Sequence, residues 1–356
     1  MDVGGYLVKT PISFAEFDAP FKVFFSDLAE RAVAQSEILQ STPGMIVTLV
    51  QKGRPYLYWR VYDAAGRRVD RYLGAQGDPN TEAKLGALRE RIAEAKALAD
   101  ASLTLRKQGY CAADNSAAIT LAALFNAGVF GRGAMLVGTH AFGAILNSLG
   151  VRIGARYFTE DIDIARYGAI QLAARPDRAF IEILRESGLP FAEVPDLNAA
   201  RPATSFKVRG QKLRVDLLVP GDARYRAYRV PELKAHATGL PYLGYLLEEP
   251  ISTIVLGRDQ VIPVRVPNAA RYCVHKLIVA TLRGGAATQK QEKDLLQAAV
   301  LTVVLALSAA DSLSSAVDAL PHGSRSKAAR GAARAARLVA GTYPAAEDFL
   351  NALAGE

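Results

Sequence analysis

Three aspartates have the residue type and setting for metal-assisted chemistry. Asp161 and Asp163 lie in TEDIDIA (159–165) and Asp216 lies in RVDLLVP (214–220). The flanking apolar residues predict strands. The two-residue period of a strand then puts Asp161 and Asp163 on one face and Ile162 and Ile164 on the other. Two carboxylates on one face repel each other unless a cation sits between them. Hard divalent ions such as Mg²⁺ take oxygen ligands, commonly one or two carboxylates plus substrate phosphates. Asp216 stands in a strongly apolar strand, where an unpaired charge is costly. It either reaches the same cations or forms a structural ion pair with Arg214 or Lys207. Three converging carboxylates make a two-metal site, one ion activating a hydroxyl and the other clamping a triphosphate and its leaving pyrophosphate.

A second piece precedes these in the chain. LVGT (136–139) reads as an apolar strand that ends at Gly138 and passes directly into a helix. Glycine lets a phosphate approach the backbone, and Thr139 can cap the helix and donate a hydroxyl. Exposed N–H groups at a helix start favour an anion. Each piece alone is a weak signal. Their order, with each on a suitable predicted element, is what points to nucleotide chemistry. His140 and His275 read as packed or capped histidines, without a catalytic role.

The elements that must position these residues fall into three stretches. Residues 1–112 read as a separate module. It holds an amphipathic helix over 20–40, with Phe21, Phe24, Phe25, Leu28 and Val33 on one face, and a three-stranded meander broken at Lys52-Gly53 and Ala65-Gly66. A long helix over about 81–108 follows, capped by Asn80 or Thr81. Residues 113–266 mix helices with short strands. They include a buried helix at 115–130, a helix near 177–187, a hairpin about Gly210-Gln211 and strands near 252–258 and 261–266. Residues 267–356, after Pro267 and Asn268, read as all helical. The class is α+β.

Composition narrows the setting. The chain has 356 residues, half of them hydrophobic, enough for a large core. No uninterrupted apolar run is long enough to span a membrane, and the N-terminus lacks the pattern of a secretory signal. Two distant cysteines, Cys111 and Cys273, suggest a reducing compartment, and with four scattered histidines they give no zinc signature. A cytoplasmic protein is expected. The net charge of +8 favours polyanionic partners but also fits an arginine-rich surface.

Two stretches could meet such a partner. The meander carries Arg54, Tyr56, Tyr58, Arg60, Tyr62 and Tyr72, aromatics and guanidiniums that could stack on bases and touch phosphates. Alternation puts Tyr58, Arg60 and Tyr62 on one face and Leu57, Trp59 and Val61 on the other, which is the better core face. The other reading is a small sheet whose aromatics pack on the following helix. Near the C-terminus, Lys327, Arg330, Arg334 and Arg337 form one basic helical stripe, suited either to a phosphate backbone or to plain solvation.

An apolar strand ending in Gly-Ser/Thr, then Asp-x-Asp, then a strand Asp resembles the signature of polymerase beta-like nucleotidyltransferases. The longer phrase GTHAFGAILNSLGVRIGARYFTEDIDIA is similar to bacterial nucleotidyltransferase-like proteins related to AbiE-type toxins, with Arg156, Thr159, Asp161 and Asp163 at the matching positions. The resemblance covers about 115–300 and continues into YCVHKLIVATLR, where Lys276 and Arg283 match a helix Lys and a nearby Arg. Lys293-Asp294 matches a basic-Asp pair. The chain departs from the pattern in having Thr139 for the usual serine and a long gap between Thr139 and Asp161. The resemblance implies a polymerase beta-like core, a short mixed sheet with helices. It also implies transfer of NMP from an NTP such as ATP to an acceptor hydroxyl, with two Mg²⁺ or Mn²⁺ ions held by Asp161, Asp163 and Asp216. Gly138, Thr139, Lys276 and Arg283 would hold the nucleotide. Asp294 is expected to lock Arg283 or Lys290 rather than bind metal. The expected acceptor is RNA, such as a tRNA end, met by Arg54, Tyr58, Arg60, Arg330, Arg334 and Arg337. A toxin or phage-defence setting with a cognate antitoxin is the implied context. The alternatives are a protein hydroxyl as acceptor, or a nucleic-acid-binding protein on this fold without turnover.

Overall fold

Apolar residues at period two and period 3.6 alternate along this chain, and the computed structural model folds them into a mixed α+β structure. It describes residues 12–63, 66–153, 161–166, 178–196, 198, 200–283 and 288–355. The chain opens with β1 (Phe14–Glu16) and α1 (Ala19–Val33), then the meander β2 (Met45–Gln51), β3 (Arg54–Tyr62) and β4 (Arg68–Ala75), and the long helix α2 (Pro79–Lys107). The middle contains α3 (Asn115–Asn126), β5 (Ala134–Val137), α4 (Gly138–Ser148), β6 (Val151–Ile153), β7 (Asp161–Arg166), α5 (Phe180–Arg185), β8 (Phe191–Val194), β9 (Ser205–Val208) and β10 (Arg214–Pro220). After these come β11 (Ala227–Val230), β12 (Ala235–Leu240), α6 (Leu243–Leu247), β13 (Ile251–Leu256) and β14 (Val261–Val266). The remainder is helical: α7 (Ala269–Leu282), α8 (Thr288–Ser308), α9 (Ala310–Asp318), α10 (Arg325–Val339) and α11 (Pro344–Gly355).

The central sheet is mixed, with the order β11-β12-β10-β7-β5. β7 and β10 are parallel, and β5 runs antiparallel to β7. On its other side β10 changes neighbour, pairing antiparallel with β9 over Arg214–Asp216 and parallel with β12 over Leu218–Pro220. Ile162, Ile164, Val215 and Leu217 are all fully buried, so both central strands press the same side chains into the core. That core is continuous with α3, α4, α7, α8 and α10. Among the described residues no helix is long and apolar enough to cross a membrane.

The local expectations need three corrections. α2 is capped by Asp78, not by Asn80 or Thr81. Its carboxylate accepts from the Thr81 amide at 2.9 Å and from the Thr81 hydroxyl at 2.8 Å, and Pro79 fills the first turn, where no amide donor is needed. α1 stops at Val33, short of 40, and Val33 is exposed, while Phe25, Leu28 and Ala32 carry the buried face. α4 has no side-chain cap, because Val137 occupies the cap position and the Thr139 hydroxyl is used elsewhere.

The helices of the C-terminal stretch approach closely where α10 crosses α7. A Cβ placed on Gly331 would lie 2.7 Å from the carbonyl carbon of Leu277 and 2.9 Å from its Cα. Intrinsic helix propensity favours alanine over glycine by about 1 kcal/mol, whereas forcing a methyl into a filled core costs about 1–3 kcal/mol. Gly331→Ala is therefore expected to lower the urea midpoint. A raised midpoint would mean that the two helices are not held at this distance.

Candidate active site

Register brings the aspartates together. Across the parallel pair, Asp163 stands opposite Asp216 and Asp161 opposite Arg214. Across the antiparallel pair, Asp163 stands opposite Val137. Cross-strand partners share a face, so Asp163 and Asp216 project to the side opposite the buried isoleucines. The side chain of Asp161 lies outside the described residues, as do Arg156 and Thr159.

One residue after Val137 the chain turns at Gly138, whose φ of +71° is in the left-handed region. A side chain here would meet two obstacles. The backbone conformation is strained for any L residue, and a Cβ would collide with Oδ2 of Asp163. The glycine thus lets the start of α4 lie directly against a carboxylate that a cation could share.

Side chains from α7 and α8 hold this turn from the far side. The Tyr272 hydroxyl donates to the Gly138 carbonyl at 2.8 Å and lies 3.2 Å from Oε1 of Gln297. Its ring stacks on Phe142 of α4, with centroids 6.0 Å apart. Burial raises this phenol to about 12, so it stays protonated and can donate. Lys293 Nζ donates to the Thr139 hydroxyl at 2.6 Å. Neither contact follows from reading the motifs. The available signals were helical spacing, Tyr272 to Lys276 and Lys293 to Gln297 each being four apart, and the Lys293-Asp294 pair itself.

Lys276 and Arg283 meet at one buried acid. Lys276 Nζ reaches Asp294 Oδ1 at 2.7 Å, and Arg283 Nε reaches Oδ2 at 2.6 Å. The expected lock on Arg283 is thus present, with Lys276 rather than Lys290 as the second cation. Burial pushes the Asp294 carboxyl up, but the two cations outweigh it and hold it below the usual range. Burial pulls Lys276 down, and the Tyr272 ring and Asp294 more than restore it. Lys276 also lies over the Tyr272 ring at 5.2 Å, so one network runs from Asp294 to the glycine turn.

Asp216 is mostly buried, and its Oδ2 pairs with Arg214 at 2.9 Å. Asp163 and Asp216 supply the hard oxygen donors that a divalent cation needs, and the missing side chain of Gly138 leaves room for one of them, Oδ2 of Asp163, against the start of α4. Among the described residues no three His, Cys, Asp or Glu side chains form a metal-binding cluster. The third expected donor, the Asp161 side chain, is outside them.

The stretches expected to meet an acceptor lie at the surface. Leu57, Trp59 and Val61 are buried, as alternation predicted, and Trp59 and Val61 pack with Ile92 of α2. Arg54 is exposed, Tyr58 half-buried, and Arg60 forms a two-point pair with Asp70 at 2.8 and 2.9 Å. On α10, Arg330, Arg334 and Arg337 are exposed while Ala332, Ala335 and Ala336 between them are buried. Cys111 and Cys273 are free thiols pushed up by burial, to about 11 and about 12, and are poor nucleophiles.

His275, beside Lys276, is buried, and neither ring nitrogen has a hydrogen-bond partner among the described residues. Burial and the neighbouring Lys276 lower its pKa from 6.5 to about 3. The unfolded chain therefore takes up a proton between those values that the folded chain refuses. The stability this gives is complete above pH 6.5 and is lost as pH falls toward 3, at up to about 1.4 kcal/mol per pH unit. The Asp294 carboxyl, held below the usual range by its two cations, stays ionised between pH 6.5 and 4.5. Denaturant unfolding between pH 6.5 and 4.5 should show this slope in the wild type and a flatter one in His275→Leu. Equal slopes would mean the imidazole is not held neutral.

Comparison with protein families finds a match to a nucleotidyltransferase family over residues 115–321. No curated protein and no solved structure matches the chain. The matched segment begins at α3, contains the glycine turn and both described aspartates, and runs just past α9. More than half of the sequence falls within it, and the chain belongs to the nucleotidyltransferase family.

Proposed function

We propose that this enzyme transfers NMP from an NTP to an acceptor hydroxyl at the point where Asp163, Asp216 and Gly138 meet. The observation that carries the reading is the register of Asp163 with Asp216 beside a glycine turn that opens a helix. Asp161, Asp163 and Asp216 would hold two Mg²⁺ or Mn²⁺ ions, which when bound supply charge neutralisation and Lewis acidity at the triphosphate. The amides of α4 receive phosphate oxygens, and Lys293 and Thr139 stand beside them. Lys276 and Arg283 are the further cations assigned to the triphosphate, steadied by Asp294. Asp216 takes the proton as the acceptor oxygen attacks the α-phosphorus. The bond from that phosphorus to the bridging oxygen breaks, and pyrophosphate leaves.

The acceptor in this reading is RNA, for which the exposed arginines of the meander and of α10 are suited. A polymerase beta-like core, kinship with AbiE-type toxins, a cytosolic setting and a cognate antitoxin complete the proposal. So does a division into modules 1–112, 113–266 and 267–356, which the meander's own apolar cluster and the helical run after β14 support.

Two results test it. Each α-labelled NTP is incubated with Mg²⁺ or Mn²⁺ and either total RNA or total protein. Asp163→Asn and Asp216→Asn should each lower label transfer by about 100-fold or more, with the circular dichroism unchanged. Wild-type rates in Asp163→Asn would remove the assignment, and label in protein alone would move the acceptor to a protein hydroxyl. Gly138→Ala should lose transfer and also about 1–3 kcal/mol of stability, because it adds backbone strain and a contact with Asp163. An alanine variant as stable and active as wild type would show that the turn is not tight.

A further inference from the structure

The meander has two unlike faces. One packs Leu57, Trp59 and Val61 toward α2. The other gathers Tyr56, Tyr58 and Tyr62 of β3 with Tyr72 of β4. Tyr58 stands directly opposite Tyr72, and Tyr62 opposite Arg68. Tyr72 lies 5.5 Å from the Tyr58 ring, edge on, and 6.0 Å from Tyr56, so three rings form one patch. Within the patch Tyr56 and Tyr58 are half-buried and Tyr72 is 59% exposed, and farther along the same face Tyr62 is 48% exposed. Such rings in a monomer's core would be covered, and on an ordinary surface they would be scattered singly.

Charge surrounds the rings. Residues 45–75 contain Lys52, Arg54, Arg60, Arg67, Arg68 and Arg71 against Asp63 and Asp70, a surplus of +4, half of the whole chain's +8. Arg60 and Arg67 are occupied by the two acids. Arg71 stands opposite Trp59, on the face away from the tyrosines, and lies over its ring at 5.0 Å. Arg54 and Arg68 remain exposed at the borders of the ring patch. Flat π-faces flanked by guanidiniums suit unpaired bases on a phosphate chain, because every base has a face to stack and every phosphate a charge to meet. A duplex hides its base faces. Gln51 Nε2 donates to the Tyr58 hydroxyl at 2.8 Å, so that phenol keeps its own proton for a further partner, such as a ribose 2′-hydroxyl that DNA lacks.

We infer that the Tyr56–Tyr58–Tyr62–Tyr72 face of β3 and β4 binds single-stranded RNA, as the surface that holds the acceptor of the proposed transfer. The inference rests on that reading for the word acceptor only, since binding is measured without turnover.

The test is fluorescence anisotropy of a labelled unstructured RNA, its duplex and its DNA counterpart, with the full chain, over a salt series. Single-stranded RNA should bind tighter than the other two. Tyr56→Ala/Tyr72→Ala should weaken it by about tenfold or more, while Tyr56→Phe/Tyr72→Phe should bind like wild type. Arg54→Ala/Arg68→Ala should reduce the slope of log K against log salt by about 1.4. Asp163→Asn should bind RNA as wild type does. If transfer fails while these binding results hold, the catalytic proposal falls and the surface stands. No RNA binding at low salt, equal binding of duplex or DNA, or undiminished binding by the alanine pair would overturn the inference, and label transferred to protein without RNA binding would do the same.

Discussion

Everything at the candidate active site depends on how closely Gly138 can approach Asp163. A strand must end, turn through left-handed backbone and start a helix within one residue, and the next strand's carboxylate occupies the space where a side chain would be. Only glycine meets both conditions. The turn is useful because of what lies on each side of it. The register of β5 on β7 puts Val137 opposite Asp163, and that of β7 on β10 puts Asp216 there too. A one-residue slip in either ladder would bury the aspartates and expose Ile162 and Ile164. The apolar face of the sheet thus guards the polar one: full burial of those isoleucines is what keeps the acids on the far side.

The glycine turn is also clamped from the C-terminal helices. Tyr272 and Lys293 contact consecutive residues, Gly138 and Thr139, from two different helices. Behind them the buried Asp294 gathers Lys276 and a half-buried Arg283. A buried acid with two cations is worth little against an apolar alternative, but removing one partner strands a charge, so the group acts as a fixed joint. The close crossing of α10 on α7 at Gly331 seats the helix that carries Tyr272 and Lys276. Packing well away from the aspartates therefore reaches the turn through named contacts.

The N-terminal sheet is organised differently. Its buried face is small, with Trp59 anchored by a hydrogen bond from its indole to the Pro43 carbonyl at 2.9 Å and covered by α2. Its other face keeps aromatic rings and charges in solvent. Alternation along β3 makes both faces from one stretch of nine residues, so the sheet can serve stability on one side and recognition on the other.

The sequence by itself determined the periodicities. It located the meander and its buried face, the DIDIA strand, the Gly-Thr turn, the hairpin before Asp216, the long helix after the meander and the helical C-terminal stretch, because each depends on neighbours two to four residues away. It also contained an order of motifs that resembles the signature of polymerase beta-like nucleotidyltransferases. Only the tertiary structure decided the partners across distance. Asp216 could be seen as polar in an apolar strand with Arg214 two residues away as one possible partner, but its position opposite Asp163 came from strand pairing. Lys276 was legible as a cation on a helix face, but its bond to Asp294, and that of Lys293, one residue from that acid, to Thr139, depend on helix packing. The Thr139 hydroxyl could be read as a cap, yet a lysine more than 150 positions along the chain claimed it. The physical reason is the same in each case. Local propensity acts over a few residues, whereas a buried polar atom must find its partner among whatever the packed helices and strands bring within 3 Å.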